Sequence, residues 1–140
     1  MPPGETVITA SILIADDDPN ILRALQFLMQ GEGHAVRTAT DGRQVLQAVE
    51  QAKPDLLLLD VMMPGGNGYE ICRHLRGSPA YDGIRIVMLT ARGRESDART
   101  GLALGADAYV TKPFAIGDVV GCIAEVLSRP PAGARAIGPG

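Results

Sequence analysis

The chain has 140 residues, a formal charge of -3 and 46% hydrophobic residues, which is the composition of one globular domain. The acidic balance argues against direct binding of nucleic acid, and no apolar run approaches the ~20 residues that a membrane span needs. The amino terminus lacks the basic region and long apolar core of a secretory signal, and two cysteines are too few for a disulfide framework. We therefore expect a cytoplasmic protein that contacts neither nucleic acid nor membrane.

The first strand and helix are the most clearly marked elements. Residues 11–15 form a short, β-branched apolar run, which predicts a strand buried on both faces. Asp18 and Pro19 suit the N-cap and first turn of the helix that follows, and Gly31 with Gly33 predicts where it ends.

The alternation of strand and helix then repeats along the chain. Further strands are predicted over residues 34–39, 55–60, 84–89 and 108–111. Further helices are predicted after Asp41, after Gly68, near residues 96–104 and over 114–127. Five alternating strands and helices imply right-handed crossovers and an α/β fold with a parallel sheet covered on both faces.

Polar residues follow the strands at their carboxyl ends, where parallel sheets place their functional crevice. These residues are Asp16, Asp17, Asp60, Thr90 and Lys112. Clustered carboxylates repel one another, and a hard divalent cation such as Mg²⁺ is the usual remedy. Carboxylates also form aspartyl-phosphate intermediates, so the pattern predicts Mg²⁺-dependent phosphoryl transfer to one of the acids, Asp60.

Four stretches together resemble the receiver domain of two-component response regulators. They are ILIADDDPN at 12–20, PDLLLLDVMMPGGNGYE at 54–70, IVMLTARG at 86–93 and GLALGADAYVTKPF at 101–114. The resemblance covers about residues 9–128 and implies a doubly wound, flavodoxin-like sheet with strand order 2-1-3-4-5. Residues 1–8 are then expected to be a flexible amino terminus, and 129–140 a tail or linker rich in Pro, Gly and Ala.

The resemblance also implies how the acidic residues work. Asp60 would accept a phosphoryl group from a histidine kinase or a phosphotransfer protein and would control a downstream protein target or output domain. The expected ligands of Mg²⁺ are Asp16, Asp17, Asp60 and the main-chain carbonyl of Met62. Such a protein phosphorylates and dephosphorylates itself as a switch and is not a turnover enzyme.

The resemblance assigns the remaining site residues to signalling. Thr90 and Tyr109 match residues that change position on phosphorylation and so alter the surface of the fourth helix, fifth strand and fifth helix. Lys112 matches the lysine that pairs with the phosphoryl group, and the bond between it and Pro113 is typically cis. Met62 and Arg92 occupy the positions that tune the lifetime of the aspartyl phosphate. Neither Met62 nor Arg92 has an obvious group to orient an attacking water, which predicts a long-lived phosphoryl group.

Three alternatives stay open at this point. A phosphatase of the haloacid-dehalogenase type needs a second acid two positions after its nucleophile, where this chain has Met62. A phosphorylation-independent interaction module would be favoured if a key acid or Lys112 were missing, and none is. The segment could also be the receiver of a longer transcription regulator or of a hybrid kinase.

The oligomeric state is predicted to be a monomer or a weak, phosphorylation-dependent dimer. Transcription-factor receivers that form salt-bridged dimers usually have charged residues on the fourth helix, fifth strand and fifth helix. This chain has Ala98, Ala108 and Cys122 there, which weakens the expectation of a salt-bridged dimer.

Overall fold

The computed structural model describes residues 9–65, 67–91 and 95–130, and for residues 95–98 it describes the backbone alone. The strands are β1 (Ser11–Ala15), β2 (Ala35–Ala39), β3 (Leu56–Asp60), β4 (Arg85–Ala91) and β5 (Ala108–Lys112). The helices are α1 (Pro19–Gly31), α2 (Gly42–Gln51), α3 (Gly68–Arg76), α4 (Glu95–Ala103) and α5 (Ile116–Leu127). None of these helices is long and apolar enough to cross a membrane.

The five strands form one parallel sheet in the order β2-β1-β3-β4-β5. This order confirms the predicted doubly wound topology, in which strands are added first on one side of β1 and then on the other. All strands point the same way, so their carboxyl ends lie along a single edge of the sheet. That edge is where the predicted site residues should meet.

Side chains alternate between two hydrophobic cores, one on each face of the sheet. Leu13 and Ala15 point into the core that α2 and α3 cover, and Ile12 and Ile14 point into the core that α1 and α5 cover. The central strands are buried on both faces, which explains why the sequence shows them as continuous apolar runs.

The first three helices begin at capped ends beside the carboxyl edge of the sheet. Asp18, Asp41 and Asn67 each accept a hydrogen bond from a main-chain N–H of the first turn of α1, α2 and α3. The predicted caps at Asp18 and Asp41 are therefore confirmed. These caps fix the ends of the three helices around the crevice.

Several boundaries differ from the prediction by one or two residues, and one short element was not predicted. Strand β4 extends to Ala91, so Thr90 lies inside the strand. The strand continues this far because Thr90 and Ala91 pair with Thr111 and Lys112 of β5. Helix α5 begins at Ile116 and not at residue 114. A single 3₁₀ turn over Pro79–Tyr81, which was not predicted, connects α3 to β4.

The carboxyl-terminal boundary also differs in detail. The Arg85 guanidinium donates to the main-chain carbonyls of Val126 and Arg129. The Arg129 guanidinium in turn donates to the carbonyl of Asp107 at 3.0 Å. Arg129 thus contacts the folded domain, whereas the composition placed it in the tail. Residues 1–8 and 131–140 lie outside the described part of the chain.

Candidate functional site

The parallel sheet brings the predicted residues to one crevice. Asp16 directly follows β1, and Asp60 and Lys112 are the last residues of β3 and β5. In the sheet register Asp60 lies opposite Leu89, one residue before Thr90. Because neighbouring strands end at similar heights, polar side chains that are distant in sequence become neighbours in space.

Three carboxylates form the acidic part of the site. Asp16, Asp17 and Asp60 each offer an oxygen within 4.8 Å of the others. Asp16 and Asp60 are buried, whereas Asp17 is exposed and leaves one side open to solvent. Carboxylate oxygens together with free space for water are the donor set that Mg²⁺ prefers, so these residues fit a magnesium ion.

Lys112 is the cation that lies among these carboxylates. Its Nζ donates to Asp16 Oδ2 at 2.6 Å and lies 3.6 Å from Asp60 Oδ1. The other oxygen of Asp16, Oδ1, accepts the main-chain N–H of Asp18 at 2.9 Å. Lys112 therefore forms its short ion pair with Asp16 and not with Asp60.

The carboxyl of Asp60 is harder to ionise than an ordinary aspartate. Burial is the main cause that raises its pKa to about 6, and the negative charge of Asp16 adds to the effect. Lys112 and the main-chain N–H of Met62, which donates to Asp60 Oδ1 at 3.2 Å, lower the pKa by less. In its ionised form the carboxylate keeps lone pairs free, as a nucleophile requires.

A cavity of about 140 Å³ adjoins the Asp60 carboxylate. Its wall consists of Asp60, Val61, Met62, Leu89, Thr90, Ala91 and Lys112. Thr90 is only 3% exposed and offers a hydroxyl, while Lys112 offers a positive charge. This space could hold several water molecules, and its lining suits an anion bonded to Asp60.

Met62 lines the cavity beside Asp60, and Tyr109 is the second residue of β5. The side chain of Met62 is 57% exposed and that of Tyr109 on β5 is 40% exposed. The peptide bond between Lys112 and Pro113 is cis. Arg92 lies outside the described residues.

Sequence reasoning missed Gly68, which it placed in a loop. Gly68 is the first residue of α3, directly after its cap Asn67. A Cβ there would lie 2.9 Å from the carbonyl oxygen of Asp60 and 3.0 Å from Cα of Val61. A cap residue followed by glycine was the available signal that a helix begins in close contact with another backbone.

Sequence reasoning also missed Asp107, a buried acid at the opposite edge of the sheet. One of its oxygens, Oδ2, accepts the Ile86 N–H at 2.8 Å and lies 3.3 Å from the Arg76 guanidinium. These contacts make it a structural residue that connects α3 to the start of β4 and β5. It takes no part in the crevice.

The chain matches the family of response regulator receiver domains over residues 12–124. DNA-binding response regulator MtrA of Mycolicibacterium smegmatis is 45% identical over 118 residues, which cover 84% of this chain and 50% of MtrA. The alkaline phosphatase synthesis regulatory protein PhoP of Bacillus subtilis is 42% identical over 118 residues, covering 84% of this chain and 48% of PhoP.

Solved structures show the same architecture. A response regulator from Chloroflexus aurantiacus has a TM-score of 0.83 and 35% identity and covers 87% of this chain and 100% of that one. The chemotaxis response regulator CheY4 of Vibrio cholerae has a TM-score of 0.80 and 30% identity, covering 85% of this chain and 99% of that one.

The fold and these similarities define a signalling receiver of the two-component type. The chain belongs to the response regulator receiver family. It spans about half the length of the curated relatives it matches.

Proposed function

We propose that this receiver is a phosphorylation-dependent switch and that Asp60 is its phosphoacceptor. One observation supports this above all: the buried Asp60 carboxylate adjoins a cavity lined by the Thr90 hydroxyl and the Lys112 ammonium. The donor is a phosphohistidine on a histidine kinase or on a phosphotransfer protein, as in the family.

Transfer of the phosphoryl group is a single displacement at phosphorus. An Asp60 oxygen attacks the phosphorus atom, so an O–P bond forms and the P–N bond to the donor histidine breaks. The imidazole leaves with the electron pair of that bond and takes up a proton. Lys112 offsets the negative charge of the phosphoryl oxygens, and the hydroxyl of Thr90 donates a hydrogen bond to one of them.

The cofactor in this proposal is Mg²⁺. Asp16, Asp17, Asp60 and the carbonyl of Met62 would hold it, and it would supply positive charge that neutralises the phosphoryl oxygens. Without such a cation, three carboxylates and an incoming phosphoryl group would face the ammonium of Lys112, the one cation within 4.0 Å of Asp16 or Asp60 among the described residues. The charge balance therefore favours a divalent ion.

The output surface in this proposal is formed by α4, β5 and α5. Phosphorylation adds about -1.5 to -2 charges near Thr90, which draws its hydroxyl inward and allows Tyr109 to change its position. Leu102, Tyr109 and Ile116 are large hydrophobic residues exposed on these elements, as a protein-binding surface requires. The target is a downstream protein or an attached output domain.

The same surface suits a monomer or a weak, phosphorylation-dependent dimer. Ala108 and Cys122 pack partly against the core and offer no charge for an intermolecular salt bridge. The side chain of Ala98 lies outside the described part of the chain.

We further propose that the aspartyl phosphate is long-lived. The exposed thioether of Met62 is a weak acceptor, so it positions an attacking water poorly. After the phosphodonor is removed, the phosphorylated mass should persist for well over a minute in Mg²⁺ buffer. Its complete loss within seconds would contradict this.

The decisive experiment is the intact mass after incubation with Mg²⁺ and acetyl phosphate. We expect one added phosphoryl group in the native protein, and none without Mg²⁺ or in Asp60→Asn. Binding of beryllofluoride serves as a second readout, because it needs the same site but no transfer. A native protein that gains no mass and binds no beryllofluoride would rule out the proposed function.

A further inference from the structure

The chain enters the sheet between two titratable side chains. The main-chain N–H of Ala10 donates to Nδ1 of His34 at 3.0 Å, and the N–H of Ser11 donates to Oδ2 of Asp55 at 2.8 Å. We propose that His34 makes this entry an acid-sensitive clamp, which holds the chain in front of β1 while the imidazole is neutral and releases it when the imidazole is protonated. The clamp lies where the strands begin, so it goes beyond the proposed function and does not depend on it.

The hydrogen bond from Ala10 specifies the protonation state of His34. A ring nitrogen accepts a hydrogen bond only while it carries no proton, so Nδ1 is free of a proton in this contact. Protonation of the neutral imidazole places a proton on Nδ1 and converts the acceptor into a donor. Two donors then face each other, and the ring of His34 has to turn away from Ala10.

The ring of His34 supplies an acceptor at a place where the β1–β2 ladder does not. The ladder begins with Ser11 opposite Ala35, one residue after Ala10. The carbonyl of Ala10 accepts the N–H of Ala35 at 3.0 Å, whereas the N–H of Ala10 bonds to the side chain of His34. The N–H of His34 itself donates to the carbonyl of Met29 at 3.1 Å, which fixes the backbone that carries the ring.

The surroundings of His34 favour the neutral ring. The imidazole is half-buried, and burial lowers its pKa below the ordinary value of 6.5, while the negative charge of Glu32 at the end of α1 opposes this effect by less. The carboxylate of Asp55 bonds to the following residue, on the β3 side of β1. Because the pKa is lower in the folded state than in the unfolded state, the stabilisation by this contact is complete above about pH 6.5 and is lost as the pH falls through the folded pKa.

The contact between Ser11 and Asp55 is an internal reference for the clamp. A carboxyl group keeps an acceptor oxygen whether or not it is protonated, so the N–H of Ser11 keeps its partner. The N–H of Asp55 also donates to the carbonyl of Ser11 at 2.8 Å, which holds the two residues together by a second bond. Acid should therefore open the clamp on the side of His34 alone.

The test is an NMR titration of the native protein from about pH 7.5 to about pH 5, across the range in which histidine titrates. We expect the amide resonance of Ala10 to shift with the midpoint of the His34 ring and not with that of His74, the other histidine of the chain. Over the same range, the protection of the Ala10 amide against hydrogen exchange should fall about fivefold relative to that of Ser11, because one hydrogen bond is lost.

Three variants separate the acceptor from its titration. His34→Asn places an oxygen near the position of Nδ1, so the Ala10 amide should keep its protection at about pH 5. His34→Leu removes the acceptor, so the Ala10 amide should be weakly protected at every pH. His74→Asn changes an exposed residue of α3 and should leave the titration of Ala10 unchanged. If His34→Leu fails to fold, His34→Asn still decides the question.

Asp60 needs its own control, because its pKa of about 6 lies in the same range. In Asp60→Asn the amide of Ala10 should titrate with the same midpoint as in the native protein, and loss of that titration would assign it to Asp60 and overturn the proposal. An Ala10 amide that keeps its resonance and its protection while His34 titrates would also overturn it. The same holds if the Ala10 amide still titrates in His34→Asn.

Discussion

The proposed role of Asp60 as a phosphoacceptor conflicts with the buried position of its carboxylate. A nucleophile has to be ionised, yet burial beside Asp16 makes the ionised form unfavourable, as the pKa of about 6 indicates. The free energy of folding therefore carries a penalty for ionising Asp60 at neutral pH. Residues of this kind are expected at functional sites and not in ordinary cores.

Replacing Asp60 by Asn should stabilise the fold at pH 7. The substitution keeps the shape of the side chain and removes the buried charge. We expect the free energy of unfolding to rise by about 1 to 3 kcal/mol, since one pKa unit corresponds to about 1.4 kcal/mol. The measurement is urea denaturation without divalent cations. Glu50→Gln, which changes an exposed carboxylate on α2, should alter stability by less than about 0.5 kcal/mol.

The pH dependence of stability follows from the direction in which the pKa of Asp60 is shifted. The pKa of Asp60 in the folded state lies above its unfolded value of 3.8, so the folded protein holds the proton more tightly. The contribution of Asp60 to stability is thus most favourable below about pH 4, falls as the pH rises to about 6 and is constant above that. The advantage of Asp60→Asn should shrink toward pH 4 in parallel. If Asp60→Asn exceeds the native protein in unfolding free energy by the same amount at pH 4 and at pH 7, Asp60 does not have the raised pKa.

The individual residues of the site were predictable, but their partners were not. An acid or a lysine at the end of a buried strand stands out in the sequence, as Asp16 and Lys112 do. Their short contact depends on where β1 and β5 end relative to each other in a sheet where β3 and β4 separate them. No local pattern contains that information.

Helix α3 begins in close contact with the backbone of the site. Its first residue, Gly68, donates its N–H to the carbonyl of Val61 at 2.8 Å. The missing side chain lets the helix start directly against the backbone of Asp60. The position of α3 therefore limits how the loop after β3 can move, and this loop includes the exposed Met62.

A methyl group at position 68 should disturb both stability and the site. In Gly68→Ala the new Cβ would meet two backbone atoms, which cannot rotate away as a side chain would. We expect a loss of about 1 to 3 kcal/mol in the free energy of unfolding and slower phosphorylation of Asp60 by acetyl phosphate. Urea denaturation and the time course of the intact mass measure the two effects.

Gly121 in α5 provides the matched control, because a Cβ there would meet nothing within 4 Å. Gly121→Ala should stabilise the fold by about 0.5 to 1 kcal/mol through the better helix propensity of alanine. If Gly68→Ala and Gly121→Ala change the free energy of unfolding alike, contact with the backbone at position 68 does not cause the effect.

At the scale of elements, the middle of each strand and helix was predictable and several ends were not. Residues 56–60 are an unbroken apolar run closed by an acid, and burial on both faces of the sheet requires that composition. The end of β4 depends on pairing instead: Thr90 and Ala91 are strand residues because Thr111 and Lys112 lie opposite them. Pairing between strands is a tertiary effect that short sequence windows do not contain.

At the scale of the whole domain, arginines stabilise the edge of the sheet at which the strands begin. Arg85 at the start of β4 holds the end of α5 through the carbonyls of Val126 and Arg129. Arg76 at the end of α3 donates to the carbonyl of Gly105 and pairs with Asp107. These contacts lie at the edge opposite the proposed phosphorylation site, so they stabilise the domain without occupying its crevice.

Removing the Arg85 guanidinium should loosen the end of α5. In Arg85→Met the carbonyls of Val126 and Arg129 lose the Arg85 guanidinium as a donor, while the Val126 carbonyl keeps the main-chain N–H of Arg129. This loss should lower the free energy of unfolding by about 1 to 2 kcal/mol. Hydrogen exchange at the amides of residues 126–129 should become faster, while phosphorylation of Asp60 is retained. Arg43→Met, at an exposed position on α2, is the control and should leave exchange at 126–129 unchanged. Unchanged exchange in Arg85→Met would show that other contacts hold this end.

The ion pair between Asp16 and Lys112 joins residues that are 96 positions apart in the chain. During synthesis on the ribosome, the proposed metal ligands and the proposed phosphoacceptor are all made long before this lysine. Fragments that end within α4 would thus carry the three carboxylates without the lysine that pairs with Asp16. The acidic cluster would gain this partner only late, when β5 joins the sheet.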